Sequence, residues 1–324
     1  MGFIAIEEHY TTPELLDFNG DFGLPEPLIN KLLDVGEGRI ADMDAAGIDM
    51  QVLSAMGPAA QNFNSGVAVP LAQTLNNELK TEVIDAYPGR FAGFATLPMM
   101  DPAASADELK RTVEELGFLG ALINGMCNGE FLSHPQFEPV LKTAQDLGVP
   151  IYLHPSTPVK RVASAYYNDM STMPHQTLGM NGHGWHYETG LHIQRLIVDG
   201  TMDKFPDLQW IIGHAGEGLA FHVDRDDEVH ANVGTFDSLE LDSFTDYYHR
   251  NLYVTSSGYP YDRPFRLMRE VFGDDRIMFS VDYPFAENAR SAQWALDLPL
   301  VPALRERFTR GNAADLLGLT AGGQ

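Results

Sequence analysis

A single cysteine, Cys127, in 324 residues leaves no partner for an internal disulfide. A chain built without disulfides suits a reducing compartment, and the expected location is the cytoplasm. Basic residues are scarce as well: 21 Lys and Arg stand against 45 Asp and Glu, for a formal charge of -24. Nucleic acid and anionic membranes both bind basic faces, so neither is an expected partner. A small anionic substrate stays open, because it feels only the field of its own pocket. No apolar run approaches the roughly 18 residues a membrane helix needs, and the amino terminus carries no basic segment followed by an apolar core. No Gly-x-Gly-x-x-Gly follows the first apolar run, which removes the main support for a dinucleotide fold.

What the chain does have is 44% hydrophobic residues, enough for a large core, arranged as short apolar runs alternating with helical patterns. The first run, Phe3 to Tyr10, is followed by a Gly/Pro-rich loop over 19–27 and a helix near 37–46 that stops at Gly47. Met50 to Ser54 reads as a second strand, and a helix from about 69 to 87 closes at Pro88-Gly89. Strand three is 91–96. The next helix, 102–116, has Asp101 as N-cap, Pro102 at its first position, and Leu109, Val113 and Leu116 on one face. Strand four (120–123), a helix (135–147) and strand five (150–154) continue the rhythm. From Pro155 to Trp185 the pattern breaks into a long aromatic-rich stretch, expected to be a lid loop inserted after strand five. Alternation resumes with a helix at 187–199, strand six at 208–213, a helix after Gly218, strand seven at 252–255, a helix at 264–272 and strand eight at 277–281, then short helices over 291–317. Eight strands alternating with helices, with no second composition regime, predict one α/β domain over residues 1–324, a (β/α)8 TIM barrel. A doubly wound open sheet is the alternative.

In such a barrel the chemistry stands at the carboxyl ends of the strands. There the sequence places Glu7 and His9 after strand one, Asn124 after strand four, His154 after strand five, His214 after strand six and Asp282 after strand eight. Residues two apart on a strand share a face, so Glu7 and His9 point one way and Glu8 the other, where a structural role is expected for it. Glu7, His9, His154 and Asp282 can give two nitrogens and two oxygens to one divalent ion, and ligand softness does not choose among zinc, manganese and iron.

Four segments carry a resemblance: Glu-x-His at 7–9, Tyr-Leu-His-Pro at 152–155, Ile-Gly-His-Ala-Gly-Glu-Gly at 212–218 and Phe-Ser-Val-Asp-Tyr-Pro-Phe at 279–285. In this order they resemble the amidohydrolase superfamily, whose usual strand-one signature is His-x-His. More narrowly they look like its metal-dependent decarboxylase branch, which includes gamma-resorcylate, 2,3-dihydroxybenzoate, 5-carboxyvanillate and aminocarboxymuconate-semialdehyde decarboxylases. Arg-Ile-x-x-Met-Asp at 39–44, Phe-Ala-Thr-Leu-Pro-Met at 94–99 and Gly-Phe-x-Gly-Ala-Leu-Ile-Asn at 117–124 extend the similarity over nearly the whole chain.

The resemblance implies that Glu7, His9, His154 and Asp282 hold one divalent metal, zinc or manganese, without an organic cofactor. No lysine stands at the end of strand four, where binuclear relatives carry a bridging carboxylated lysine. It also implies that His214 is a catalytic imidazole oriented by Glu217, although Glu217 also reads as a helix-start carboxylate. Asn124 is expected to bind substrate or to cap a turn before Gly125. Arg225 is expected to bind a substrate carboxylate across a subunit boundary, or to pair locally with Asp224, Asp226 or Asp227. His183 and His186 read as solvent or substrate contacts, and His192 as packed against the barrel. Where relatives carry Glu-Asn directly after the strand-eight motif, this chain has Ala286-Glu287-Asn288, which leaves the place of those polar groups open.

The activity implied is non-oxidative decarboxylation of an ortho-hydroxylated aromatic acid in a homodimer or homotetramer, with Asp282 holding the proton that goes to the ring carbon and His214 polarising or deprotonating the substrate hydroxyl. Hydrolysis of a lactone, ester or amide by a metal-activated hydroxide is the alternative on the same fold. A third reading is a non-catalytic, ligand-binding barrel, which would require the metal positions to be empty.

Overall fold

The computed structural model describes residues 2–20 and 23–319; Asp21 and Phe22, within the expected 19–27 loop, lie outside the described residues. The strands are β1 (Phe3–Tyr10), β2 (Ile48–Ala55), β3 (Phe91–Gly93), β4 (Ala121–Asn124), β5 (Ile151–His154), β6 (Trp210–Ile212), β7 (Leu252–Thr255) and β8 (Ile277–Met278). All ladders are parallel, in the orders β1-β2-β3 and β4-β5-β6-β7-β8. Two parallel bridges, Ala95 with Ala121 and Glu8 with Tyr283, join these sheets at both edges and close the ring. The result is the eight-stranded barrel that the alternation predicts.

Side chains alternate along the strands between two cores. Ile4, Ile6, Val52, Phe94, Leu122, Tyr152, Ile211 and Met278 fill the barrel interior. Phe3, Ala5, Leu53, Ile123, Leu153, Trp210 and Ile212 pack outward against the helices. By strict alternation Glu7 would follow Ala5 into the outer layer. An irregularity intervenes: Ala5 opposes Gln51 and Glu8 opposes Leu53, so three steps on β1 match two on β2. One extra residue reverses the facing of the strand beyond it, and Glu7 and His9 thereby reach the mouth.

Glu8 turns away from the mouth and holds the seam. It is fully buried, and its carboxylate accepts Ser280 Oγ at 2.8 Å, Val281 N at 2.9 Å and Tyr283 N at 3.0 Å. These bonds fasten both neighbours of Asp282, whose own backbone sits in the left-handed region at φ 71°, a conformation that costs an aspartate of order 1 kcal/mol or more. In Glu8→Gln the amide NH2 would face one of these donors, leaving a buried N–H unsatisfied. The expected loss is about 2 kcal/mol, read as a lower urea midpoint at unchanged m-value. Arg39 supports the same region from the Arg-Ile-x-x-Met-Asp segment: its Nη1 donates to the His9 carbonyl at 2.8 Å and its Nε to Gln51 Oε1 at 2.7 Å.

Two stretches expected as loops contain helices. The segment around 19–27 is flanked by Pro13–Asn19 and Glu26–Leu33, where Thr12 caps the first and Pro at an early position starts each. The stretch 155–185 is not a structureless lid loop: it folds as Lys160–Tyr166, a 3-10 turn at Asn168–Met170, Met173–Gly179, and the start of the helix Gly184–Val198. Each piece is seven residues or shorter before Gly184, too short to display a 3.6-residue period.

Candidate metal centre and active site

The carboxyl ends of β1, β5, β6 and β8 bring five of the predicted side chains together. His154 Nε2 lies 3.3 Å from Glu7 Oε1, and His9 Nε2 lies 3.4 Å from Asp282 Oδ1. His214 Nε2 stands 3.7 Å from both Glu7 Oε1 and Asp282 Oδ2. One ligand atom each from Glu7, His9 and His154 falls within 4.8 Å of the others, and the same holds for Glu7, His214 and Asp282. Donors about 2.1 Å from a shared ion lie roughly 3 to 4 Å apart, so the spacing suits a metal.

The hydrogen bonds agree with that fit. Glu7 Oε1 and His9 Nε2 are buried and have no hydrogen-bond partner, a costly state for polar atoms unless something completes the site. The other atoms of the same groups are engaged. Glu7 Oε2 accepts the hydroxyls of Tyr152 and Ser257, His9 Nδ1 pairs with Ser54 Oγ at 3.2 Å, and His154 Nδ1 faces the Pro155 carbonyl at 2.7 Å and Asn124 Oδ1 at 3.1 Å. Two oxygen acceptors on Nδ1 place the proton there and leave Nε2 free to ligate. Gly213, at the end of β6, is required for this arrangement, since a Cβ at that position would collide with Glu7 Oε2.

Electrostatics divide the imidazoles. Burial, then the His9 and His214 rings, hold His154 well below the usual histidine range, so it is neutral. His214 is also buried, but Glu217, Glu7 and Asp282 overcome that and raise it well above the range. Burial pushes the Glu7 carboxyl up. For Asp282, burial is outweighed by the nearby His214 and His9 rings, and its carboxyl falls below the usual range. With no substrate or ion beside it, this balance puts the proton on His214 and leaves Asp282 ionised, 3.7 Å away.

Glu217 lies where the sequence puts it, its Oε1 2.7 Å from His214 Nδ1. His214, Ala215, Glu217 and Asp282 all have positive φ, between 46° and 71°. Left-handed backbone at four non-glycine residues of one site marks it as functional. Asn124 Oδ1 meets His154 Nδ1 at 3.1 Å, and its backbone N–H and carbonyl are both taken by Gln61. Arg225 is not brought to this site: it is 74% exposed on the helix Leu219–Asn232, with Glu228 Oε2 3.7 Å away and none of its three neighbouring aspartates paired to it. Asn288 is buried in the Arg39–Gln51 network, accepting Gln51 Nε2 at 3.2 Å, away from the mouth.

Several participants were not foreseen. Tyr152, Ser54, Thr255 and Ser257 form the hydroxyl layer under Glu7 and His9; Ser54 and Thr255 stand at strand ends, a signal that position alone could have supplied. His183 is exposed against Tyr187, as a solvent contact would be. His186 is not a solvent contact: it is buried, with Nδ1 2.6 Å from Glu217 Oε2. His192 is buried on the same helix and accepts Leu132 N. Trp185 covers the centre, its ring 6.4 Å from His154 and 6.5 Å from His214.

Comparison with known proteins points the same way. A family profile described as amidohydrolase matches residues 34–319. A gamma-resorcylate decarboxylase from Polaromonas sp. (strain JS666) is 36% identical over 342 residues, covering 98% of this chain and 99% of the relative. Among solved structures, a dihydroxybenzoic acid decarboxylase from Polaromonas sp. JS666, with bound manganese and the inhibitor 2-nitroresorcinol, superposes with a TM-score of 0.89 at 37% identity over 98% of this chain and 97% of that one. A 5-carboxyvanillate decarboxylase from Novosphingobium aromaticivorans, complexed with manganese and 4-hydroxy-3-methoxy-5-nitrobenzoic acid, gives a TM-score of 0.90 at 30% identity over 98% and 96% of the two chains.

Proposed function

This chain belongs to the amidohydrolase family, and on that premise we propose that it is a metal-dependent, non-oxidative decarboxylase of an ortho-hydroxylated aromatic acid. The observation that carries the proposal is the convergence of Glu7, His9, His154 and Asp282 on one mouth, with Glu7 Oε1 and His9 Nε2 buried and unpartnered there. The manganese and nitrophenol-type ligands of the structural relatives support it. The four residues would hold one divalent ion.

A bound ion supplies positive charge that neutralises and orients the adjacent carboxylate and phenolic oxygen of such an acid. The chain's own groups do the rest. Asp282, having taken up the proton that His214 carries once the anionic substrate is bound, passes it to the ring carbon bearing the carboxylate; the carbon–carbon bond then breaks, its electron pair restores the aromatic ring, and carbon dioxide leaves. His214, 3.7 Å from Asp282 Oδ2, is the neighbour that supplies this proton and regains one from solvent as the products leave. Trp185 closes over the ring and excludes water.

A panel of 2-hydroxybenzoates and of lactones, followed for carbon dioxide and for acid release, tests the reading. Carbon dioxide from the benzoates and no opening of the lactones is expected; the reverse sinks it.

The protein acts, in this reading, as a cytoplasmic homodimer or homotetramer, with residues 1–324 forming one catalytic barrel. Among the described residues no helix is long and apolar enough to cross a membrane. Support for assembly comes from apolar side chains left in the open on two adjacent helices. Tyr187 and Leu191 project from Gly184–Val198, Phe221 and Val229 from Leu219–Asn232, with Val233 just past its end, and the two helices touch through Gln194 and Asp226. Such patches mark interfaces. Arg225, one turn from Phe221, would then reach a neighbouring subunit's mouth and pair with a substrate carboxylate. Arg225→Ala is expected to raise KM about 10-fold or more with the oligomer intact, whereas Phe221→Asp is expected to shift the mass seen by light scattering to the monomer.

A further inference from the structure

One buried carboxylate serves two imidazoles. Glu217 is 2% exposed; its Oε1 lies 2.7 Å from His214 Nδ1 and its Oε2 lies 2.6 Å from His186 Nδ1. His186 belongs to the first turn of Gly184–Val198, the helix that ends the segment over the mouth. Its far nitrogen, Nε2, faces the Asn181 carbonyl at 3.1 Å and the Tyr259 hydroxyl at 3.3 Å. The segment over the mouth and the end of β6 are therefore tied through Glu217.

We propose that His186 is a positioning residue for His214. Its Nδ1–H fixes the rotation of the Glu217 carboxylate, so that Oε1 is left to accept the His214 Nδ1–H and His214 Nε2 is aimed at Glu7 and Asp282. Without the His186 donor, Oε2 is a buried acceptor with no partner, and the carboxylate gains by turning toward another one. The aim of His214 then depends on whether the start of Gly184–Val198 is seated. The three residues have ligand atoms within 4.8 Å of one another, but an ion between them would displace both short hydrogen bonds, and both Glu217 oxygens are already satisfied. This inference rests on the decarboxylase reading for the role of His214, while the contact itself does not.

The test compares His186→Ala, His186→Asn and Glu217→Gln in the full-length, manganese-loaded protein. An asparagine amide can replace the Nδ1–H donor. His186→Ala is expected to lower kcat by about 10- to 100-fold, the usual scale for groups that orient a reacting residue, with KM little changed and the metal content retained. His186→Asn is expected to restore most of the loss, and His186→Ala is expected to add nothing once Glu217 is glutamine. Proton NMR of the zinc-loaded protein gives a readout without turnover: two downfield histidine N–H resonances are expected, of which His186→Ala removes one and displaces the other. Unchanged kcat in His186→Ala, a loss that asparagine does not restore, or a His214 resonance indifferent to position 186 would each overturn the proposal. A wild type that decarboxylates no 2-hydroxybenzoate would overturn the functional reading instead, and the NMR result would still decide the pairing.

Discussion

Asp282→Asn is expected to lower carbon dioxide release by about 10³-fold, within the range for a lost proton-transfer group. The carboxyl stands between His9 Nε2, 3.4 Å from Oδ1, and His214 Nε2, 3.7 Å from Oδ2, and is the acidic group at the mouth that can meet both the metal and a ring carbon. Asparagine keeps the size and one oxygen, so the backbone turn at φ 71° and its fastening by Glu8 persist. What is lost is a group able to hold and release a proton. Comparing kcat with metal content separates the two roles: a metal-replete variant without turnover assigns the loss to proton transfer. Near-normal carbon dioxide release from Asp282→Asn would refute the assignment.

The second large effect concerns the metal. Chelation is expected to abolish turnover, and added manganese to restore it. In Glu7→Gln affinity for manganese is expected to fall by more than about 100-fold, since loss of a direct ligand exceeds the 10- to 100-fold seen for groups behind the ligands. Tyr152 and Ser257 donate to Glu7 Oε2 and so direct Oε1 toward the mouth. A glutamine would oppose these hydroxyls with its amide in one orientation and offer only a neutral oxygen to the ion in the other. The wild type should also melt higher with metal. At 100 times Kd the stabilisation is about 2.7 kcal/mol, roughly 4 °C for a chain of this size. Differential scanning calorimetry with and without manganese checks this; an equal melting temperature in both, with turnover unaffected by chelation, would contradict the metal's role.

The barrel was legible because its signals are repetitive: each strand is an apolar run and the longer helices show a period, as at Leu109, Val113 and Leu116. The ligands were legible because a polar residue at the end of an apolar strand stands out, which is how Glu7, His9, His154, His214 and Asp282 were found. Their facing was less so. Alternation alone groups Glu7 with His9, but only the irregularity between Ala5 and Glu8 turns that pair inward, and a bulge of one residue leaves no mark in the sequence. The helices at 160–166 and 173–179 were missed because one or two turns carry no period. The pairing of His186 was illegible for a different reason: its partner Glu217 is 31 residues away, and a long-range pairing of two polar side chains is fixed by the packing of helix on barrel. The protonation pattern was out of reach too, because it depends on which of several charges within 4 Å prevails in a buried space.

The central claim is that a proton replaces the carboxylate on the ring carbon. The direct measurement is turnover of a 2-hydroxybenzoate by the manganese-loaded enzyme in deuterium oxide, with carbon dioxide quantified and the phenol examined by mass spectrometry and NMR. One carbon dioxide per phenol, and one deuterium at the carbon that bore the carboxylate, is the predicted result. Absence of carbon dioxide while a lactone, ester or amide is hydrolysed at the same site would contradict it.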